Sequence, residues 1–201
     1  MNNSFSAQIS YTVRRWREYT QRLIHTRTGG AESRRAILWD LFDVTNQFLR
    51  GLDIPHWSNY GTLLGFYREE DILLHDIDVD MGCEEKYYDQ IWEARNQLPK
   101  GFRMYDTSDR HYGPKVYISH KGFDADIYFY KSEDDLLHSY EKTEWKNYRE
   151  PIPEKFVFPL KDISVKGKKV MVPGETESYL KHIFGNLEAD AKRDPETGYW
   201  V

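Results

Sequence analysis

The segment HDIDVDMG, residues 75–82, sets Asp76, Asp78 and Asp80 in alternation with Ile77, Val79 and Met81. A period of two predicts a half-buried strand carrying its three carboxylates on one face. Like charges so placed repel each other, and Asp is a poor strand former, so the segment opposes its own folding unless something offsets the repulsion. A bound Mg2+ or Mn2+ would do so, because hard cations take oxygen ligands and carboxylates two residues apart can reach a shared ion. The alternative is a solvent-facing edge strand whose charges discourage aggregation. The apolar opposite face, continued by Gly82 and Cys83, instead suits a central strand.

Working outward, HWSNY (56–60) reads as a short strand, and Gly61-Thr62 opens a helical segment through Tyr67. Backbone N–H groups and a hydroxyl at that helix start suit a phosphate, although Gly-Thr is also an ordinary strand-to-helix turn. Upstream, residues 33–52 place Ile37, Leu38, Leu41, Phe42, Val44, Phe48 and Leu49 at helical spacing, a face that must pack on the sheet. Residues 6–28 have mixed helical character and break at Thr28-Gly29-Gly30. Downstream, a helix is expected over 84–98, then a hairpin of 112–120 and 123–130 turning at Lys121-Gly122. In FDADIYFY the residues Asp124 and Asp126 share the polar face. A Pro-bearing connection over 151–159 and a helix over 175–184 ended by Gly185 complete the reading.

The 201 residues suit one compact domain, and 39% apolar with 15% aromatic residues is ample material for a core. A net charge of -5 gives no general attraction to nucleic acid. The first 35 residues nevertheless hold seven Arg against two Glu, which suits either docking to an anionic surface or a solvated helix face. Cys83 is the sole cysteine, so neither an internal disulfide nor a cysteine-rich zinc site can form. No stretch approaches the roughly 20 apolar residues that span a bilayer, and no signal peptide is visible. The expectation is a cytoplasmic protein with no transmembrane segment, open to peripheral contact with the inner membrane face.

The run YGTLLGFYREEDILLHDIDVDMG, residues 60–82, resembles the LicD-type phosphotransferase family, which includes the fukutin-related proteins. Gly61, Thr62, Leu63, Leu64, Gly65 and Arg68 match the family's first segment, and Asp76, Asp78, Asp80 and Gly82 its second; Asp126 within ADIYFY matches a later strand Asp. His75 stands where Trp is usual, and Glu69-Glu70 where His-Gly is common. The resemblance implies an α+β, nucleotidyltransferase-like mixed sheet flanked by helices, with a catalytic domain at 31–190, a basic helical extension at 1–30 and a tail at 191–201. It implies transfer of phosphocholine or a polyol phosphate from a CDP-activated donor to a sugar hydroxyl of a glycan or lipid-linked glycan. Asp78 and Asp80 would hold metal, Asp76 would complete the shell, and Asp126 would bind metal or take the hydroxyl proton. Gly61 and Thr62 would meet the donor, and Arg68 would steady a phosphate or pair with a carboxylate. Transfer of the nucleotide itself, or a noncatalytic glycan-binding or scaffold role, are the alternatives.

Overall fold

In a computed structural model, residues 2–201 are described, with side chains described outside 2–10 and 25–29. The chain opens with helix α1 (Asn2–Gly51), interrupted at Gly30, whose φ of 67° and ψ of -166° no helix accommodates. The glycine break read from sequence therefore divides it into two helical stretches. Leu38, Leu41, Phe42 and Leu49 of the second stretch are buried. Each contributes about 1.5–3 kcal/mol of apolar burial.

Strand β1 (His56–Ser58) leads into helix α2 (Tyr60–Glu69), capped by the Asn59 side chain, which accepts from Tyr60 N–H. After β2 (Asp78–Glu84), the chain makes the short helix α3 (Tyr88–Glu93) between two 3-10 turns, less than the continuous helix expected over 84–98. Strands β3 (Arg103–Asp106), β4 (Lys115–His120), β5 (Phe123–Glu133), β6 (Leu136–Ser139) and β7 (Ile152–Pro153) complete the main sheet. Its central order is β1-β2-β5-β4-β3, with β6 pairing β5 farther along and β7 pairing β6. Helix α4 (Glu154–Val157), the hairpin of β8 (Lys161–Val165) and β9 (Lys168–Val172), and helix α5 (Thr176–Phe184) follow. Gly185 ends α5 at φ 83°, as expected.

Only β2 and β5 run parallel; every other pair in the sheet is antiparallel. Their register sets Asp78 beside Asp124, Asp80 beside Asp126 and Gly82 beside Tyr128. Paired residues share a face, so four carboxylates stand in two ranks at the centre of the sheet. Behind them Val79, Met81, Ala125, Ile127, Val116 and Ile118 are buried. A side chain at position 82 would fall within 2.2 Å of the Trp57 ring, so Gly82 is the seat of that indole.

Strand β2 starts two residues later than the alternation predicted. Asp76 lies in a turn closed by its N–H on Leu73 O (3.1 Å), and Ile77 is 45% exposed instead of buried. Pairing stops at the very start of the partner strand: continuing the register, Ile77 falls opposite Phe123, the first residue of β5, and Asp76 opposite Gly122 of the Lys121-Gly122 turn. That turn has φ of 50° and 87°, the left-handed pair a tight hairpin needs.

Candidate active site

Asp80 is fixed through its backbone. The Asp80 N–H donates to Thr62 Oγ1 (2.9 Å), and Asn59 N–H donates to Asp80 O (2.9 Å), so the β1–α2 turn clasps β2 on both sides of this residue. Below it lies a buried network. Trp57 Nε1 donates to Tyr179 Oη (3.0 Å), Tyr179 Oη to Asn59 Oδ1 (2.6 Å), Asn59 Nδ2 to Tyr130 Oη (2.9 Å), and Tyr130 Oη to Tyr60 Oη (3.2 Å). A network satisfied at every member holds one geometry.

On this base, one carboxylate oxygen each from Asp78, Asp80 and Asp126 lie within 4.8 Å of one another. Burial pushes all three carboxyls above the usual range. Asp80 rises well above it, with Asp78 and Asp126 adding repulsion, and Asp126 reaches about 7 although Lys115 pulls it down. Lys115 is itself buried, 3.2 Å from Glu141 and 3.9 Å from the Tyr128 ring centroid. Asp76 stands apart from the triad but lines the same cleft as Asp78 and Asp80. Its Oδ2 is buried without a hydrogen-bond partner among the described residues, and burial raises its pKa to about 6. Gly61 lies alongside it, and a Cβ there would come only into ordinary contact, 3.4 Å from that oxygen.

Not every expected site residue faces this cleft. Thr62 is fully buried and spends its hydroxyl on Asp80 N–H, so it shapes β2 and presents no hydroxyl to a phosphate. The Arg68 guanidinium donates to the carbonyls of Leu187 and Glu188 (2.6 Å for the latter) and lies 5.3 Å from the Trp200 ring centroid, with no carboxylate paired to it among the described residues.

The cleft, of about 340 Å3, has a second end that the sequence did not disclose. Tyr60, Tyr128, Tyr148, Phe184, Arg193 and Trp200 line it together with the carboxylates. Residues 191–201, read above as a tail, return to the body: Trp200 N–H donates to Phe184 O (2.6 Å), and Arg193 donates to Tyr148 Oη (3.1 Å). No spacing rule connects Arg193 or Trp200 to Asp80. Asp124 did carry a signal, because it precedes Asp126 by two as Asp78 precedes Asp80. Its carboxylate is answered by Arg15 (2.8 Å) and Arg22 (3.3 Å) from α1.

Ribitol-5-phosphate transferase FKTN of Homo sapiens is 25% identical over 178 residues, 84% of this chain and 37% of that protein. An uncharacterized protein of Rickettsia typhi is 30% identical over 112 residues, 54% of this chain and 33% of that protein. The chain thus spans about a third of the length of these curated relatives. Among solved structures, the antibiotic-resistance factor ANT(2'')-Ia aligns at TM-score 0.46 and 13% identity, covering 69% of this chain and 66% of that one. The lincosamide antibiotic adenylyltransferase LnuA aligns at TM-score 0.46 and 10% identity, covering 71% and 84%. Residues 53–175, from just before β1 to the start of α5, match the family LicD/FKTN/FKRP, nucleotidyltransferase domain, and the chain belongs to that family.

Proposed function

We propose that this protein transfers a phospho-alcohol group, phosphocholine or a polyol phosphate, from a CDP-activated donor to a sugar hydroxyl of a cell-surface glycan, in a reaction that needs a divalent cation. The observation that carries this reading is the cluster of Asp78, Asp80 and Asp126 oxygens within 4.8 Å. Three acceptor-only groups whose charges are disfavoured by burial, beside the unpartnered Asp76 Oδ2, form a donor set suited to Mg2+ or Mn2+. Asp78, Asp80 and Asp126 would hold the ion, with Asp76 completing or orienting its shell. When bound, the ion supplies positive charge against the phosphates of the donor.

The remaining work falls to the chain. The aromatic end of the cleft offers Tyr60, Tyr148 and Trp200 as faces for a nucleoside, and Arg193 beside them offers a cation to a phosphate. The acceptor oxygen attacks the phosphorus bearing the alcohol, the bond to the bridging oxygen breaks, and CMP leaves. Asp126, an ionised carboxylate at the edge of the ion's shell, would take the hydroxyl proton. FKTN, named as a ribitol-5-phosphate transferase, supports a polyol phosphate as the group moved.

The test incubates the chain with CDP-, UDP- and GDP-linked alcohols and a glycan acceptor, in Mg2+ and in chelator, following thermal shift and CMP release. The expected result is stabilisation by a CDP-linked compound in Mg2+ alone, with CMP released as the acceptor gains phosphorus. Equal donor binding in chelator would overturn the site as drawn. Nucleotide appearing on the acceptor would reassign the reaction as nucleotidyl transfer.

A further inference from the structure

Residues 11–24 of α1 form a helix turned inside out. At roughly 100° per residue, Tyr11, Arg14, Arg15, Glu18 and Arg22 fall on one side, and Val13, Trp16, Tyr19 and Leu23 on the other. In a soluble protein the second set would meet the core. Here the polar side faces the sheet. Arg15 and Arg22 meet Asp124, Arg14 lies 4.1 Å from the Tyr105 ring centroid, and Arg22 Nε donates to Gly122 O (3.0 Å). A Cβ at Gly122 would come within 2.5 Å of Glu18 O, so helix and hairpin turn are in close contact. The orientation is therefore fixed by buried polar contacts, and the apolar side is left outward: Val13 is 61% exposed, Trp16 69%, Tyr19 57% and Leu23 37%.

We propose that this outward face is a docking surface for an anionic lipid bilayer. Charge selects the occupant. Arg17 is exposed beside the stripe, and the adjoining cleft between α1 and the β3–β4 hairpin is lined by Arg14, Arg17, Arg103 and Lys121. The acid there, Glu18, is buried and answered by Arg15 at 3.0 Å, while Lys121 lies 3.9 Å from Asp40. Cations beside a Trp- and Tyr-bearing apolar stripe match the headgroup boundary of an anionic membrane, where aromatic rings settle and basic side chains meet lipid phosphates. A second copy is a poorer fit. An isologous pairing would set each Arg17 and its basic cleft against their own duplicates, and no exposed carboxylate occurs within residues 11–24 to answer them.

Vesicle sedimentation of the full chain tests this, using phosphatidylcholine alone and phosphatidylcholine mixed with phosphatidylglycerol, with solution mass measured in parallel. The chain should pellet with the anionic vesicles and release as salt is raised. Combined Trp16→Ser and Leu23→Ser should weaken partitioning roughly a hundredfold without moving the Tm, since each lost anchor is worth about tenfold. Arg17→Glu should remove the preference for anionic lipid. Were the double variant to melt early, Val13→Ser, expected to show the same direction at smaller size, would replace it. Equal pelleting of wild type and variants, pelleting with neither vesicle, or a dimer that the double variant splits without any vesicle binding would each overturn the proposal, the last by making the stripe an interface between copies.

Discussion

Asp71 and Asp80 are both buried aspartates, and they have opposite electrostatic surroundings. Asp71 accepts from Trp39 Nε1 (2.7 Å) and from Ile72 N–H (2.9 Å), and pairs with Arg35 (3.2 Å) and Lys166. Its burial raises the pKa, but those partners outweigh it and the carboxyl ends below its ordinary value. Asp80 meets Asp78 and Asp126, and its pKa ends well above. Burial by itself therefore does not distinguish the two acids; the sign of the surrounding charge does.

Substitution at the two positions should separate them. Asp80→Asn removes a charge that cation binding needs, so CMP release should fall by several orders of magnitude while the Tm measured in chelator stays level or rises. Asp71→Asn should do the reverse, leaving turnover near wild type and costing roughly 2 kcal/mol in denaturant unfolding, because Arg35 and Lys166 lose their shared partner. An active Asp80→Asn enzyme would dissolve the distinction.

Asp124 offers an intermediate case, an acid in the same two ranks as Asp80 but neutralised by α1. Arg22→Ala should cost about 2 kcal/mol of stability, since it withdraws one of two cations from a buried carboxylate beside Asp78. It follows that removal of residues 1–30 acts on the carboxylate ranks as well as on the helix itself. A truncation with unchanged Tm would show that Arg15 and Arg22 are dispensable to the fold.

The last comparison is one of pH dependence. The folded-state pKa values of Asp76 and Asp126 are raised, to about 6 and about 7. The unfolded chain ionises first, near 3.9, so the stability these groups lend is full below about pH 4 and is lost as pH rises toward about 7. In chelator the Tm should decline across that window; Mg2+ should reverse the decline at the upper end, where the carboxylates are free to bind it. A flat profile in chelator would argue that the carboxylates are not crowded in solution.

Much of this was legible in the sequence where strong local patterns coincide. The α+β sheet, the Gly30 break, the Lys121-Gly122 hairpin and the clustering of Asp78, Asp80 and Asp126 follow from alternation, glycine placement and family resemblance. A second Lys-Gly pair, Lys166-Gly167, has the same left-handed conformation (φ 49° and 76°) and turns β8 into β9, yet it was not read. The difference lies in the flanks. FDADIYFY repeats its apolar face at Phe123, Ala125, Ile127 and Phe129, whereas KDISV offers Ile163 and Val165 alone. The aromatic wall of the cleft was hidden for another reason: Tyr60, Tyr148 and Trp200 converge through tertiary packing alone, which no local period records. The inverted amphipathicity of residues 11–24 was likewise beyond periodicity, since a moment gives the direction of a stripe and not which side meets the protein.

Gly82 has a consequence that reaches well past its own position. Its missing side chain is the space occupied by the Trp57 indole, whose N–H begins the relay through Tyr179, Asn59 and Tyr130 to Tyr60 at the rim of the cleft. A single methyl group at 82 would have to displace that ring, and the displacement would pass along five residues to a wall of the cleft, one of them, Tyr179, 97 positions away in sequence. The smallest residue in the acidic strand thus acts as a gauge block: it sets the clearance against which the far end of the cleft is aligned, and the tolerance at that point is less than one carbon atom.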